Sequence, residues 1–501
     1  MKPHRIIVVI PVADRPQHIR ACLDSLLAQQ RRFPYAGAIE VLIADDSADD
    51  ANVAANRTIA AGYSARGLAT AHFGPAQQLD LIRPLQATLP AVVGRATPER
   101  FGHKGQGVMR NIAYLHLARR LAVAPDERVL IWSVDSDQEF RVNLPADDGY
   151  VVDFFNGIDA IFSRTNAEVL TGKVVGDPPV SPAVMTRNFL DDVLAFLDDM
   201  APRHPEAACG HHATGVAAGD AAYHDMADLF GFQPAASYAY PCPLPGEHSE
   251  ADCFANFASR VNSFFYGEHP TRISRYQPGD LFDSVQPART VYAGNYVFRP
   301  SALKYFIPFA ALRLRMSGPT LGRIIRAELG PRFVSANLPM LHKRTVASGG
   351  QSEFRPGIDT QAQHIDMSGE FERQFYGDVM LFSTERRLAG ADIGAALDST
   401  RAELLEKYNE RQRAILGRLA VLERLAHDPA HWWQRDARLR PALERIDAFA
   451  ANVRRNFGDD SSGHARINAA SGWQRWREDL RAAVEHYAAD RCAWEQALCG
   501  R

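Results

Sequence analysis

The chain lacks any stretch near the roughly 18–20 uninterrupted apolar residues that a bilayer-crossing helix needs, so no transmembrane segment is expected. Cysteine is scarce: Cys22, Cys209, Cys242, Cys253, Cys492 and Cys499 are the six in 501 residues. No two stand at CxxC spacing, which argues against a zinc motif of that kind, and nothing resembles a disulfide framework. Reduced thiols are the expectation. An excess of either charge is missing too. With 56 Lys+Arg against 59 Asp+Glu, the formal net charge is -3, and composition gives no reason to expect a nucleic-acid partner. There is no internal repeat and no low-complexity tract. The apolar run Ile6–Ile10 follows His4 and Arg5 as a signal peptide would, but Pro11, Asp14 and Arg15 come at once and no small-residue cleavage site appears. A buried first strand in a cytoplasmic protein is expected.

Hydrophobic residues make up 46% and charged residues 23%, an ordinary globular balance, and the length calls for two or three domains. Short apolar runs rich in β-branched residues alternate with helical patterns. Strands are expected at Arg5–Ile10, Glu40–Ala44, Leu68–Phe73 and Arg128–Val134, with helices over Gln17–Gln29 and Val108–Leu121. That alternation is the signature of a parallel α/β sheet, in which ligands bind beyond the carboxyl ends of the strands. Asp45-Asp46 ends one apolar run and Asp135-Ser136-Asp137 another, so four carboxylates are expected along one crevice. The competing explanation is that Asp simply favours turns.

An Asp-x-Asp triplet just past a buried strand suits a divalent cation, because Mg2+ and Mn2+ take oxygen ligands with few protein contacts. Such a cation neutralises the charge that builds on a diphosphate leaving group. Here the sequence resembles the GT-A glycosyltransferases, especially family 2, over roughly residues 5 to 345. Ile7–Pro16 is similar to their opening strand, Val41–Ser47 to their second, and Asp135-Ser136-Asp137 to their metal-binding triplet. The resemblance implies a Rossmann-like nucleotide-diphospho-sugar transferase domain. It implies nucleotide-sugar contacts from Pro11, Asp14, Arg15, Asp45, Asp46, Lys104, Arg110, Asn111, Asp135 and Ser136. It implies Mn2+ or Mg2+ held by Asp135, Asp137 and His342, with catalytic work from Lys104, Asp135 and Asp137.

Gly102–Gly107 is not a Walker loop, since Lys104 sits inside the glycines; it resembles the basic donor loop of GT-A enzymes, or is a plain flexible loop. His342 follows a strand-like run, and neutral imidazole is a competent ligand, though a lone histidine is often structural. Gly294 and Asn295 lie in a segment, Tyr292–Pro300, similar to the one that meets sugar and acceptor. Inverting family 2 enzymes usually carry an acidic pair soon afterwards, as the base that deprotonates the acceptor. Here Arg315–Gly322 contains no acid. Together with partial resemblance to retaining glucosyl-3-phosphoglycerate and mannosylglycerate synthases, this favours retention over inversion.

The expected organisation is a GT-A domain over 1–350 with an irregular insertion near 202–286, a linker over 351–395, and a helical domain over 396–501. The expected reaction moves a hexose from a UDP- or GDP-sugar to a small, soluble hydroxyl acceptor. A sugar nucleotidylyltransferase is disfavoured because no glycine-rich loop follows the first strand. A non-catalytic nucleotide-sugar-binding protein with a partner-binding tail is the alternative from another class. Tyr408, Ile415 and Leu422 recur every seventh residue, as a core face or a homo-oligomer interface. Five tryptophans in the tail suggest core packing. Gly210, His211, His212, Asp220, His224 and Asp225 fit no standard zinc spacing, while Glu268, His269 and Asp280 could be acceptor contacts.

Overall fold

The computed structural model describes residues 2–95, 97, 101–122, 128–144, 148–211, 223–230, 240–345, 358–361 and 364–500. Nine strands form one sheet: β1 (Arg5–Val12), β2 (Ile39–Asp45), β3 (Ala69–Phe73), β4 (Val129–Val134), β5 (Gln138–Glu139), β6 (Val169–Gly176), β7 (Gln286–Pro287), β8 (Asn295–Phe298) and β9 (Phe333–His342). Their order is β3-β2-β1-β4-β8-β6-β9-β5, with β7 paired to β9. The β3-β2-β1-β4 half is parallel, β8 runs against both β4 and β6, and β6 and β9 are parallel again.

The apolar strands are continuous because both faces are covered. Ile7 and Val9 of β1 point into a core shared with the helices Gln106–Leu121 and Ser317–Leu329. Ile6, Val8, Ile10 and Val12 point into the opposite core, with the helices Pro16–Arg32 and Phe154–Arg164. Pro16 opens its helix where the missing N–H costs nothing.

Register brings the acidic ends together. Val12 of β1 is level with Asp45, and Val9 with Ser133, so Asp135 emerges beside Pro11. The short β5 then folds back on β9 and sets Gln138 opposite His342, next to Asp137. The shared edge expected from the sequence is therefore present.

A third core holds the helices Thr186–Met200, Glu250–Arg260, Ser368–Leu388, Ile393–Ala426 and Arg440–Phe457. Two expectations change here. The stretch 351–395, expected as a linker, contains the helix Ser368–Leu388. Its buried polar residues, among them Glu370, Gln374 and Asp378, interrupt the apolar stripe that would have marked it. Region 202–286 is partly regular: Ser249 and Asp252 make a reciprocal capping box at the start of Glu250–Arg260. The ring of Trp433 stacks on Phe254 from that helix at 5.3 Å, so insertion and tail share one interior.

Tyr408, Ile415 and Leu422 are all buried in this core. The tail's tryptophans pack likewise, and Trp494 returns to the sheet domain, donating from Nε1 to the Leu303 carbonyl at 2.9 Å. No helix of the described residues is long and apolar enough to cross a membrane.

Candidate active site

Three strained backbone positions, Asp14, His103 and Arg313, lie at the crevice. Among the described residues, the non-glycine positions with positive φ are Asp14, His103, Phe309, Arg313 and Met316. Asp14 accepts from the Ala48 and Asp49 amides at 3.1 and 3.2 Å, from Asn52 at 3.0 Å, and pairs with the His103 ring. It thus ties the end of β1 to the loop after β2 and to the glycine loop. Arg313 sits against Gly105, its Cγ 3.7 Å from where a Cβ would lie. Left-handed non-glycine residues persist only when their surroundings over-determine them, and they gather at ligand clamps.

At one end of the crevice the carboxylates are fully engaged. Asp45 accepts from Ser47 N at 2.9 Å and Asn56 Nδ2 at 3.1 Å, and meets His72 Nε2 at 2.8 Å. Burial works against its charge, but these partners win and hold the carboxyl below its usual range. Asp46 receives the Lys104 and Gly105 amides, both at 3.0 Å, and the Lys104 ammonium at 2.6 Å. Lys104 also donates to the Phe101 carbonyl at 2.8 Å and lies over that ring. Burial pulls its ammonium below the ordinary lysine range, with Asp46 opposing. Lys104 therefore anchors the glycine loop to the sheet.

At the other end Asp135 and Asp137 diverge. Asp135 pairs with Arg110, whose Nε donates to Ser133 Oγ at 3.1 Å. Its carboxylate packs on Gly294, where a Cβ would fall 2.2 Å from Oδ2. Asp137 instead faces Arg15 at 3.3 Å, His342 Nε2 at 3.5 Å and Arg344 at 3.6 Å. Burial would raise the Asp137 carboxyl, yet His342, Arg344 and Arg15 outweigh it and hold it well below the carboxylate range.

The tautomer of His342 follows from its other contact. Its Nδ1 lies 2.8 Å from the Asp177 carbonyl, an acceptor only, so Nδ1 carries the proton. Nε2 then faces a carboxylate oxygen of Asp137 at 3.5 Å, a contact completed either by a cation between the two atoms or by a second proton on the ring. A histidine with its outer nitrogen held by a carbonyl is the usual support for a metal ligand. The buried side-chain amide of Gln138 lies beside Gly294, its Nε2 3.2 Å from where a Cβ there would stand. A carboxylate, an inward imidazole nitrogen and a buried amide together suit a hydrated divalent ion and its ligand.

Other expected site residues are placed differently. Asn111 is buried, with both ends of its amide used: Nδ2 donates to the Val92 and Ile307 carbonyls and Oδ1 accepts from Ile307 N. Asn295 accepts from Trp132 Nε1 at 3.0 Å and donates to the Lys173 and Leu338 carbonyls. Both asparagines hold sheet and loop together and present no free polar group. Pro11 and Ser136 are buried at the strand ends. Sequence reasoning missed Arg344 and Asp177. Asp177 accepts from Arg344 N at 2.8 Å, and burial pushes its carboxyl up. His212 and Asp220 lie outside the described residues, while Asp225 accepts from the Arg187 and Asn188 amides.

No family model and no curated protein matches the chain. Among solved structures it is similar to mannosyl-3-phosphoglycerate synthase from Rubrobacter xylanophilus, at 11% identity over 38% of this chain and 47% of that one, with a TM-score of 0.22. It thus spans about half the length of that protein. It is also similar to the mannosyltransferase PcManGT from Pyrobaculum calidifontis, in complex with GDP-Man and Mn2+, at 10% identity over 98% and 88% with a TM-score of 0.36. TarS of S. aureus follows at 14% identity over 91% and 55%, with a TM-score of 0.30. Likenesses this distant leave function to be read from the crevice itself.

Proposed function

We propose that this chain is a glycosyltransferase that moves a hexose from a UDP- or GDP-sugar to a small hydroxyl acceptor, using Mn2+ or Mg2+. The observation that carries the reading is the Asp137–His342 pair, a carboxylate oxygen and an imidazole nitrogen 3.5 Å apart with the other ring nitrogen held by the Asp177 carbonyl. These two residues would hold the ion, which when bound supplies positive charge for the departing diphosphate. Arg15 and Arg344 flank the same carboxylate, and their planar guanidinium groups are suited to phosphate oxygens. Asp45 and Asp46 shape the nucleoside end, with Lys104 as the strut between loop and sheet. Asp135 is oriented by its pairing with Arg110. Gly294, with no side chain, leaves the Asp135 carboxylate room beside the path to the acceptor.

Retention is part of the proposal. The segment Arg315–Gly322 offers no carboxylate, and Arg315 is itself paired with Glu370 at 3.3 Å. Inversion would need another base, and Asp177 is the group that favours that second reading, since a carboxyl raised by burial suits proton transfer.

The test is release of nucleoside diphosphate from UDP-glucose and GDP-mannose, with Mn2+ and with EDTA, followed by the anomeric configuration of the product. Metal-dependent release from one donor supports the proposal, and a product of unchanged configuration supports retention. Nucleotide-sugar binding without turnover across a screen of acceptors would make the chain a binding protein instead.

A further inference from the structure

A second cluster of chemistry lies away from the crevice, in the third core. The segments Ala207–His211 and 240–250 are laced together by their backbones. Cys209 N donates to the His248 carbonyl at 2.9 Å, Cys242 N to the His211 carbonyl at 3.2 Å, and Glu250 N to the Ala207 carbonyl at 2.9 Å. That lacing brings three cysteines that are distant in sequence to one place. The donor atoms of Cys209, His211, Glu250 and Cys253 lie within 4.8 Å of one another, and those of Cys209, Cys242 and His248 do the same. Cys209 belongs to both sets, which adjoin at its sulfur.

Two donor pairs stand at the separation of ligands around a small ion. Cys242 Sγ is 3.2 Å from His248 Nε2, and Cys253 Sγ is 3.7 Å from His211 Nδ1. Tetrahedral zinc with bonds of about 2.3 Å to sulfur and 2.0 Å to nitrogen separates its ligands by roughly 3.3–3.8 Å. None of the three cysteines forms a disulfide. Both imidazoles are braced from outside: His248 Nδ1 lies 3.0 Å from the Gly246 carbonyl and His211 Nε2 2.9 Å from Asp199. Each therefore directs its other nitrogen inward, as supported metal ligands do.

We propose that Cys209, Cys242 and His248 bind a structural Zn2+, with Cys253, which reaches the same Cys209 sulfur, drawn in as the fourth ligand, and that the ion staples the irregular segment to the helix Glu250–Arg260. Three thiolates and one imidazole are a soft donor set that selects zinc over the hard ions suited to the crevice. His248 takes the fourth corner because His211 is already shared between Asp199 and Glu250, whose Oε2 lies 3.5 Å from its Nδ1. The absence of CxxC spacing hid the site, since its ligands come from three separate turns of chain. The inference stands whether or not the crevice transfers a sugar.

Metal analysis of the full chain, purified without chelator and then dialysed against EDTA, tests it. About one zinc per chain should remain, and a mercurial that caps thiols should release it. Cys242→Ser and Cys253→Ser should each lower zinc content at least about tenfold, and His248→Ala should weaken retention more than His211→Ala. The wild-type chain reconstituted with Co2+ should show thiolate-to-cobalt absorption, a readout that does not depend on any variant folding. Less than about 0.1 zinc per chain, with the buried thiols showing no cobalt absorption, would overturn the proposal. So would an intact mass showing a disulfide among these cysteines.

Discussion

The two ends of the crevice carry the same residue type at the same place in the sheet, yet use it differently. Asp45 and Asp46 are surrounded by donors from the protein itself: Ser47, Asn56 and His72 on one, and the Lys104 loop on the other. Asp137 faces the Nε2 of His342 and two guanidinium groups, the groups that also suit a metal and a phosphate. An acid ringed by backbone and loop donors serves as scaffold. One ringed by an imidazole nitrogen and guanidinium groups is poised for something from outside.

The largest expected effect lies at the poised end. Asp137→Asn should lower turnover about 10³-fold or more, roughly 4 kcal/mol, while the melting temperature moves by only about 3 °C. A parallel fall in stability would make Asp137 scaffold as well and erase the contrast. At the closed end Asp45→Ala should reverse the pattern, costing about 2–4 kcal/mol of folding stability by stranding buried donors, measured by denaturant unfolding.

Between the ends, Gly294→Ala should displace the Asp135 carboxylate and lower turnover by about ten- to a hundredfold with donor affinity little changed, read as kcat against KM. Lys104→Met should be milder, loosening the glycine loop and weakening nucleoside diphosphate binding about tenfold in a calorimetric titration.

Acid sharpens the same contrast. The Asp45 carboxyl is depressed on folding, so its stabilisation is present above the unfolded value of about 3.9 and is lost as pH falls through the folded one. The stability gap between wild type and Asp45→Asn should therefore be constant from about pH 5 to 7 and close in stronger acid. A gap that persisted unchanged into strong acid would mean that the Asp45 charge contributes nothing.

Much of this fold was legible because parallel strands announce themselves. Ile6–Ile10 is apolar throughout and Val129–Val134 at all but Ser133, since each is covered on both faces, and the acids at the ends of β2 and β4 were found by position alone. His342 was reachable from its order after Asp137. Asn111 and Asn295 show a physical ambiguity: a buried amide that satisfies loop carbonyls looks, in sequence, like one that waits for a ligand. Arg344 and Asp177 were invisible because their meaning lies in partners far along the chain. The helix Ser368–Leu388 was hidden by Gln374 and Asp378, whose hydrogen bond to each other makes a polar pair tolerable inside a core. The three clustered cysteines escaped notice for the same reason, since backbone lacing and not spacing unites them.

The most direct measurement is an electron paramagnetic resonance titration of Mn2+ into wild type, Asp137→Asn and His342→Ala, each with UDP and with GDP. The account predicts that wild type binds Mn2+ together with one of the nucleotides, that Asp137→Asn abolishes this binding and that His342→Ala weakens it. Equal Mn2+ binding by all three proteins would contradict it, leaving the Asp137–His342 contact an imidazolium ion pair and the crevice without its metal.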